Sequence, residues 1–575
     1  MIYKSPFGQL DPIPDVNAHD AIFNSPWASQ IPDYTVYIDA ATGKEWKKNQ
    51  FIQRFVRLAT ALVADVKDGG LGLKPNSMDI IGIFSKNHME FNTLCHALMM
   101  VTVPASLLSS FSTAGELEHL LKISRTNRLF VEPDLLPVAL KAAAAVGIPK
   151  DRIHLVHGEA SGIPISVESL IKSTQSLPVV KAYPAKKDTL AFLPFSSGTS
   201  SGFPKAVSLT HENVIAYGRS AIHVVLEMMK AAPPDPNQPA QIPVGLLALP
   251  LYHIYGFTNA VLRPFFLPLT IVIIPKFDLE ETLRVVPKYK ITALPLIPTI
   301  LQRILDVAEA RKVDFSSVQI MSSGAGYATP ESFTKARKLF KNLMTKPING
   351  YGLTETTAIA IGTSDLFPKS HEIAGSGVLI PGVEARIIGP DGKKDVKRGE
   401  KGELWLRGPT VVQEYFKDDK ANKSTFVNGW LKTGDTFYVD KDEVFHFADR
   451  QKDTLKVSGM QVSPAELEQT IRDHPAQLVS EACVCGVPAA HKSNETVPRA
   501  WVVLSAEGKR SGKSKQEIAS DLQKWVQERQ SRYKWLKGGV DIVDEIPSNP
   551  TGKILKRVLI EEYVKGQAAT AKSKL

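Results

Sequence analysis

Cysteine is scarce in this chain: three in 575 residues. That is too few for a disulfide framework and suits a reducing compartment. Long apolar runs are also missing. The most apolar stretch, residues 244–275, is interrupted by Pro250, His253, Asn259, Arg263, Pro264 and Pro268. Nowhere do roughly 18 uninterrupted apolar residues occur, so no membrane span is expected. The amino-terminal MIYKSPFGQLDPIPD has no apolar central region, so no secretory leader is expected. Nor does one sign of charge dominate: 69 Lys and Arg stand against 59 Asp and Glu, a net +10. Such a surplus admits small anionic ligands but does not call for nucleic acid, which needs a concentrated basic stripe. No repeat of fixed period is visible.

What is present is a globular composition, 43% hydrophobic and 22% charged. The length allows about two to four domains. Short apolar runs alternate with amphipathic stretches. Strands are expected at 80–84, 101–105, 128–131, 190–194, 246–249, 271–274 and 293–296, and helices at 87–100, 113–124, 211–230 and 279–288. That alternation implies an α/β class with parallel sheets flanked by helices. Residues 231–243, AAPPDPNQPAQIP, read as a surface loop. After about residue 375 short strands and turns take over, at 383–388, the Pro390-Asp391-Gly392 turn, 402–407 and 443–448, so a β-rich subdomain is expected over about 375–450. A polar stretch, Asp449-Arg450-Gln451-Lys452, then leads into an α+β segment. The expected organisation is a multi-subdomain body over 1–450 and a small α+β domain over 451–575. That last segment holds 20 basic and 15 acidic residues, a surplus of five and half of the whole excess. It fits either a solvated face or a lid over anionic ligands.

Residues 195–205 read FSSGTSSGFPK, directly after the strand-like LAFLP. Ser196, Ser197, Thr199 and Ser200 interleave with Gly198 and Gly202. Glycines let successive N–H groups converge and hydroxyls add donors, so the segment reads as an anion nest, with Lys205 adding a positive charge at its end. It is not a Walker A loop: GxxxxGK[ST] is absent, and AVSLT, which follows the lysine, reads as a strand. Cys483-Val-Cys485 lacks zinc-knuckle spacing and reads as buried strand. Gly375-Ser-Gly377 does not complete a dinucleotide fingerprint.

FSSGTSSGFPKAV followed by LTHENV resembles the phosphate-loop signature of the adenylate-forming superfamily. Further segments match that superfamily in order: LPLYHIYGF (249–257), SSGAG (322–326), YGLTE (351–355), GELWLRGP (402–409), WLKTGD (430–435), DRQKDTLKVSGMQVSPAELE (449–468) and PTGKILKR (550–557). GMQVSPAELE looks most like the 4-coumarate–CoA ligase-like branch of the acyl-CoA synthetases. One departure is an added Ser at 200–201, Ser200 and Ser201 standing where the common SSGTTGLPK form has one residue fewer. The resemblance implies a two-step reaction. A carboxylate attacks the α-phosphorus of ATP to give an acyl-adenylate and pyrophosphate, and the CoA thiol then displaces AMP.

By that resemblance, Lys553 bridges carboxylate and α-phosphate, Thr354 contacts the α-phosphate, and Glu355 helps hold Mg²⁺ on the phosphates. Asp435 and Arg450 would contact the ribose hydroxyls. Tyr351, with Gly352 after it, and Gly324-Ala325-Gly326 would form the adenine slot. His253 would gate the substrate carboxylate without transferring a proton, whereas His211 is expected to cap the following helix. Lys452 stands at the family's hinge. Rotation there would bring up Lys456, Ser458 and Gly459 to shape the pantetheine tunnel, and Gln461 would contact nucleotide in the adenylating state. Lys509, Arg510 and Lys513 are the basic residues expected to meet CoA phosphates. Acid-pocket walls are expected at Ile254, Tyr255, Ser322, Ser323 and Gly350, admitting a phenylpropanoid, an arylacetate or a medium-chain fatty acid. Alternatives are an enzyme loading a separate carrier protein, a luciferase-type oxygenase and an inactive scaffold. Ser573-Lys574-Leu575 reads as an address for the peroxisomal import receptor, which would place the protein in the peroxisomal matrix.

Overall fold

The computed structural model describes every residue except 78, 197–203, 234–240, 309–310, 327, 329, 372–374, 451–454, 458–459, 490–491, 531, 550–553 and 573–575. Only the backbone is described at 330, 375, 449–450, 456, 460–461, 492–495 and 568–572. The chain forms two compact units. The first comprises Met1–Arg386, Trp405–Lys432 and Asp440–Phe445; the second comprises Ile387–Leu404, Thr433–Val439 and His446–Leu575.

Two sheets organise the first unit. One has six strands in the order Leu209–Thr210, Leu190–Leu193, Ala105–Leu108, Ile81–Phe84, Arg128–Val131, Ile153–Leu155. All neighbours are parallel except the outermost Leu209–Thr210, which is antiparallel. Ile81–Phe84 is buried at every position, as a strand covered on both faces must be. The other sheet runs Glu45–Lys47, Thr35–Asp39, Thr270–Ile273, Val244–Leu247, Ala293–Leu296, Ile320–Ser323, Ile348–Tyr351. It is parallel from Thr35–Asp39 to Ile348–Tyr351 and then continues antiparallel through Ile361–Gly362 and Gly375–Leu379. Helix Met89–Met100 is buried along its whole length. Its His96 ring packs among Phe23, Phe51, Phe55 and Phe265.

Most expected elements fall where the pattern put them, and two differ. The second strand is Ala105–Leu108, not 101–105. Residues 101–104 serve the helix exit instead: the Val101 N–H bonds back to Ala97, and Thr102 is left-handed at φ 55°. His211 does not cap its helix. Thr210 does, accepting the Asn213 N–H in a capping box, while His211 is buried and its Nδ1 accepts the Ala18 N–H at 2.9 Å. A ring buried that deeply serves the core better than a helix end.

Short strands follow residue 375: Gly375–Leu379, Glu384–Ile388, Gly402–Arg407, Trp430–Val439 and Phe445–Arg450. The second unit also holds a three-stranded sheet. Val479–Ala489 pairs antiparallel with Lys492–Leu504, which pairs parallel with Val540–Val543. Alternation splits its side chains between two small cores. Ala482, Val484 and Val502 pack with Leu467 of helix Pro464–Arg472 and Leu522 of helix Lys515–Arg529. Cys483, Cys485, Val487 and Trp501 pack with Leu559 of helix Lys556–Lys572. The two cysteines are therefore buried strand residues, as expected, and both are free thiols. Among the described residues no helix is long and apolar enough to cross a membrane.

Candidate functional site

The base of the expected phosphate loop is a minimal hairpin. Phe195–Ser196 pairs antiparallel with Lys205–Ala206, with Ser196 opposite Lys205. Ser197, Gly198, Thr199, Ser200, Ser201 and Gly202 lie outside the described residues. The Lys205 Nζ sits 4.6 Å from the ring centroid of Tyr415, a cation–π contact. The Tyr415 hydroxyl donates to Glu355 Oε1 at 2.8 Å. Tyr415 and Glu355 are only 6% and 8% exposed. Burial first, and then the Glu355 carboxylate, push the Tyr415 pKa far above the ordinary phenol value, so the hydroxyl stays protonated and donates.

Glu355 is held by an unusual turn. Tyr351 ends strand Ile348–Tyr351. A Cβ on Gly352 would lie 1.6 Å from the Ala358 carbonyl oxygen, so only glycine fits. Thr354–Thr356 form one 3₁₀ turn, and Thr357 and Ala358 follow in left-handed geometry, at φ 52° and 87°. Each such residue costs roughly 1–2 kcal/mol, and neighbouring bonds offset that cost. The Thr356 hydroxyl accepts the Leu353 N–H at 2.9 Å, and the Thr357 hydroxyl donates to the Thr410 carbonyl at 2.7 Å. The Val412 N–H donates to the Glu355 carbonyl at 2.9 Å. Thr354 and Glu355 thus come to lie side by side on a buried, fixed turn.

The expected acid-pocket residues gather at the ends of the parallel strands, where open α/β sheets bind ligands. The Tyr255 hydroxyl lies 3.3 Å from Ser322 Oγ. Burial pushes the Tyr255 pKa up to about 12. A Cβ on Gly324 would stand 3.4 Å from the Gly350 carbonyl and 3.6 Å from the Tyr255 ring, so glycine lets backbone and ring approach closely. Ala325 is left-handed at φ 63°. His253 caps the short helix Ile254–Phe257, its Nδ1 accepting the Tyr255 N–H at 3.4 Å. Ile254 and Ser323 are buried.

In the second unit Asp435 is 1% exposed. It lies inside strand Trp430–Val439, whose backbone is pinned on both sides of it. Gly434, at φ 72°, donates its N–H to Glu403 Oε1 at 3.1 Å. The Thr433 hydroxyl accepts the Asp435 N–H and donates to the Leu404 carbonyl. Arg450 ends strand Phe445–Arg450. Lys456 and Gln461 are opposite in register where Leu455–Val457 pairs antiparallel with Met460–Val462. Lys452, Ser458, Gly459 and Lys553 lie outside the described residues. Arg510 pairs with Glu507 at 3.2 Å and Lys513 with Asp521 at 2.8 Å, so two of the three expected CoA-facing cations already have carboxylate partners. Glu403 and Tyr415 were not singled out from the sequence. Glu403 stands inside GELWLRGP and could have been read as a polar residue in an apolar strand, but nothing local marks Tyr415.

Residues 25–416 match the AMP-binding enzyme family, and residues 466–553 match the AMP-binding enzyme C-terminal domain. The chain is 32% identical over 548 residues to the acyl-CoA ligase AKT1 of Alternaria alternata, covering 92% of this chain and 90% of that protein. It is 33% identical over 541 residues to the phenylacetyl-CoA ligase epaB of Aspergillus niger, covering 91% and 93%. A solved anthranilate CoA ligase, AuaEII in complex with anthranoyl-AMP, shares the fold at a TM-score of 0.79 and 22% identity, over 97% of this chain and 99% of that one. Fold, ordered motifs and relatives together define an AMP-forming acid–thiol ligase. The chain belongs to the AMP-binding enzyme family.

Proposed function

We propose that this ligase activates an aryl, phenylpropanoid or medium-chain carboxylic acid with Mg²⁺-bound ATP, passes it to CoA, and works in the peroxisomal matrix. The observation that carries the reading is a single short run of chain. Gly350, whose carbonyl approaches Gly324 next to the Tyr255 ring, and Glu355, bonded to Tyr415, stand five residues apart on one strand and turn. Acid and phosphate recognition are thereby joined by a rigid backbone. The aromatic wall of Tyr255 and the small Ser322, Gly324 and Gly350 suit a flat ring or a slim alkyl chain.

In the first step a carboxylate oxygen bonds to the α-phosphorus, and the bond from that phosphorus to the pyrophosphate oxygen breaks. Negative charge gathers around phosphorus, so the residues act by placing cations and donors there. Lys205 neutralises phosphate oxygens, Thr354 and the loop hydroxyls donate to them, and Lys553 holds the attacking carboxylate against the α-phosphate. Asp435 accepts from the ribose hydroxyls, with Arg450 beside it. Mg²⁺ fits Glu355: one buried carboxylate oxygen, in a turn next to phosphate-binding donors, is the kind of hard ligand that completes the shell of an ion carried on phosphates. When bound, the ion withdraws charge from the phosphates. In the second step the CoA sulfur attacks the acyl carbon and AMP leaves. The domain after residue 450 turns about Lys452, Lys553 and Gln461 withdraw, and Lys456, Ser458 and Gly459 take their place, while His253 gates the acid. Ser573-Lys574-Leu575 supplies the address.

Pyrophosphate release across a panel of acids tests the substrate reading. Arylacetates, cinnamates or C6–C12 fatty acids should lead it; preference for acetate or malonate would overturn it. A fluorescent fusion should lose punctate peroxisomal localisation when residues 573–575 are removed.

A further inference from the structure

We propose that Tyr415 is a positioning residue that couples Lys205 to Glu355 and keeps these opposite charges from pairing with each other. The inference rests on the roles given to Lys205 and Glu355 above. The tyrosine uses separate parts of its side chain: the hydroxyl donates to Glu355 at 2.8 Å, and the π-face carries the Lys205 ammonium at 4.6 Å. Phe426 packs edge-on at 5.4 Å. Its backbone is locked as well. Asn422 Oδ1 accepts the Tyr415 N–H at 2.7 Å, and Asn422 Nδ2 donates to the Tyr415 carbonyl at 2.9 Å.

The chain around Tyr415 also ties down both partners. Val207 pairs antiparallel with Tyr415. The Phe416 N–H donates to the Ala206 carbonyl at 2.8 Å, and the Ser208 N–H donates to the Glu414 carbonyl at 3.2 Å. These bonds hold the downstream leg of the phosphate loop. On the other side, Val412 and Thr410 bond the Glu355 turn. Residues 410–416 are thus a strut between the two anion-handling elements.

The chemistry needs such a strut. A direct Lys–Glu ion pair would consume the cation meant for phosphate and the carboxylate meant for metal. A phenol orients Glu355 through one oxygen without cancelling its charge. The ring face holds the ammonium by a weaker attraction, worth about 0.5–2 kcal/mol, which phosphate oxygens can outcompete.

The test uses the full-length protein and ATP–pyrophosphate exchange with a good acid substrate. Tyr415→Phe keeps the ring and removes the bond to Glu355. It should lower kcat/KM for ATP by about tenfold, the loss of one hydrogen bond to a charged group. It should also raise the half-saturating Mg²⁺ concentration and leave the melting temperature nearly unchanged. Tyr415→Leu should lose more and raise KM for ATP as well. In double variants, Tyr415→Phe should cost nothing further in a Glu355→Gln background, and Tyr415→Leu should cost less than its single effect in a Lys205→Met background. Wild-type Mg²⁺ dependence in Tyr415→Phe, or effects that multiply in the doubles, would overturn the proposal. If Tyr415→Leu does not fold, the Tyr415→Phe cycle with Glu355→Gln decides. Full adenylation by both Glu355→Gln and Lys205→Met would instead overturn the roles themselves, and the coupling with them.

Discussion

The two units bury their sheets in different ways. Strands of the first unit, such as Ile81–Phe84, are buried at every position, Ile81 and Ile83 in one extended core and Phe84 in a smaller one. The long strands of the second alternate, dividing Val484 and Cys485 between two small cores. Site residues follow the same division. Thr354, Glu355 and Tyr415 are buried and bonded on strand ends and their turns. In the second unit Asp435 is equally buried, but Lys456 and Gln461 stand on a hairpin of three-residue strands. A deep core can hold a fixed site, whereas a small domain with short hairpins suits the residues that, on the proposed reading, serve one step only.

The largest expected effect separates those two kinds of residue. Lys553→Ala should lower adenylation by about a thousandfold or more, the scale of losing one electrostatic transition-state contact. Transfer from preformed acyl-adenylate to CoA should change only a few-fold. Equal losses in both steps, measured by single-turnover kinetics, would break the comparison.

Gly352→Ala probes the preformed side. Its Cβ would overlap the Ala358 carbonyl, so a loss of about 3 kcal/mol or more is expected, through lower melting temperature or a displaced Glu355 turn with adenylation down at least a hundredfold. A wild-type melt with wild-type activity would show that the turn is not rigid.

Asp435→Asn weakens hydrogen bonds to a charged acceptor and should raise KM for ATP about tenfold. The variant should lose its preference for ATP over 2′,3′-dideoxy-ATP. An unchanged preference would remove Asp435 from the ribose.

Acid should distinguish the units thermodynamically. In the first unit burial lowers the pKa of His19, His88 and His211 to about 4, and of His96 and His154 to about 3. Above the unfolded value of about 6.5 these rings are neutral in both states and contribute no pH dependence. Below it the unfolded chain takes up protons that the folded unit refuses, so stability falls from about pH 6.5 towards pH 4. Calorimetry between pH 7 and pH 5 should show the transition of the first unit moving down. A transition independent of pH would mean that the rings open to water without cost.

The smallest effect is expected at Cys483→Ser, which places a hydroxyl in an apolar site and should cost about 1–2 kcal/mol in the second unit without altering adenylation.

Much of this was legible along the chain. Strands Arg128–Val131, Ala293–Leu296 and Gly402–Arg407 lie where apolar runs put them, because period and propensity are properties of neighbouring residues. Glu355, Asp435 and Lys205 stand out as candidates because each ends or follows a glycine-bearing motif. A histidine directly after Thr210 looks like part of a cap until Ala18, 193 residues away, supplies the hydrogen-bond donor to His211. Tyr415 carried no local signal at all, since its meaning comes from Glu355, 60 residues earlier, and from Lys205.

The sequence by itself determined the class: an α/β body, a smaller second unit, an ordered set of motifs and the family they belong to. Those features depend on local backbone preference and on residue types at short spacing. Tertiary structure alone decided why Gly352 must be glycine, how Thr357 and Ala358 are held left-handed, and that a phenol stands between the Lys205 ammonium and the Glu355 carboxylate. Each of these is a meeting of atoms brought together only when the chain folds back on itself, and no spacing along the sequence encodes that distance.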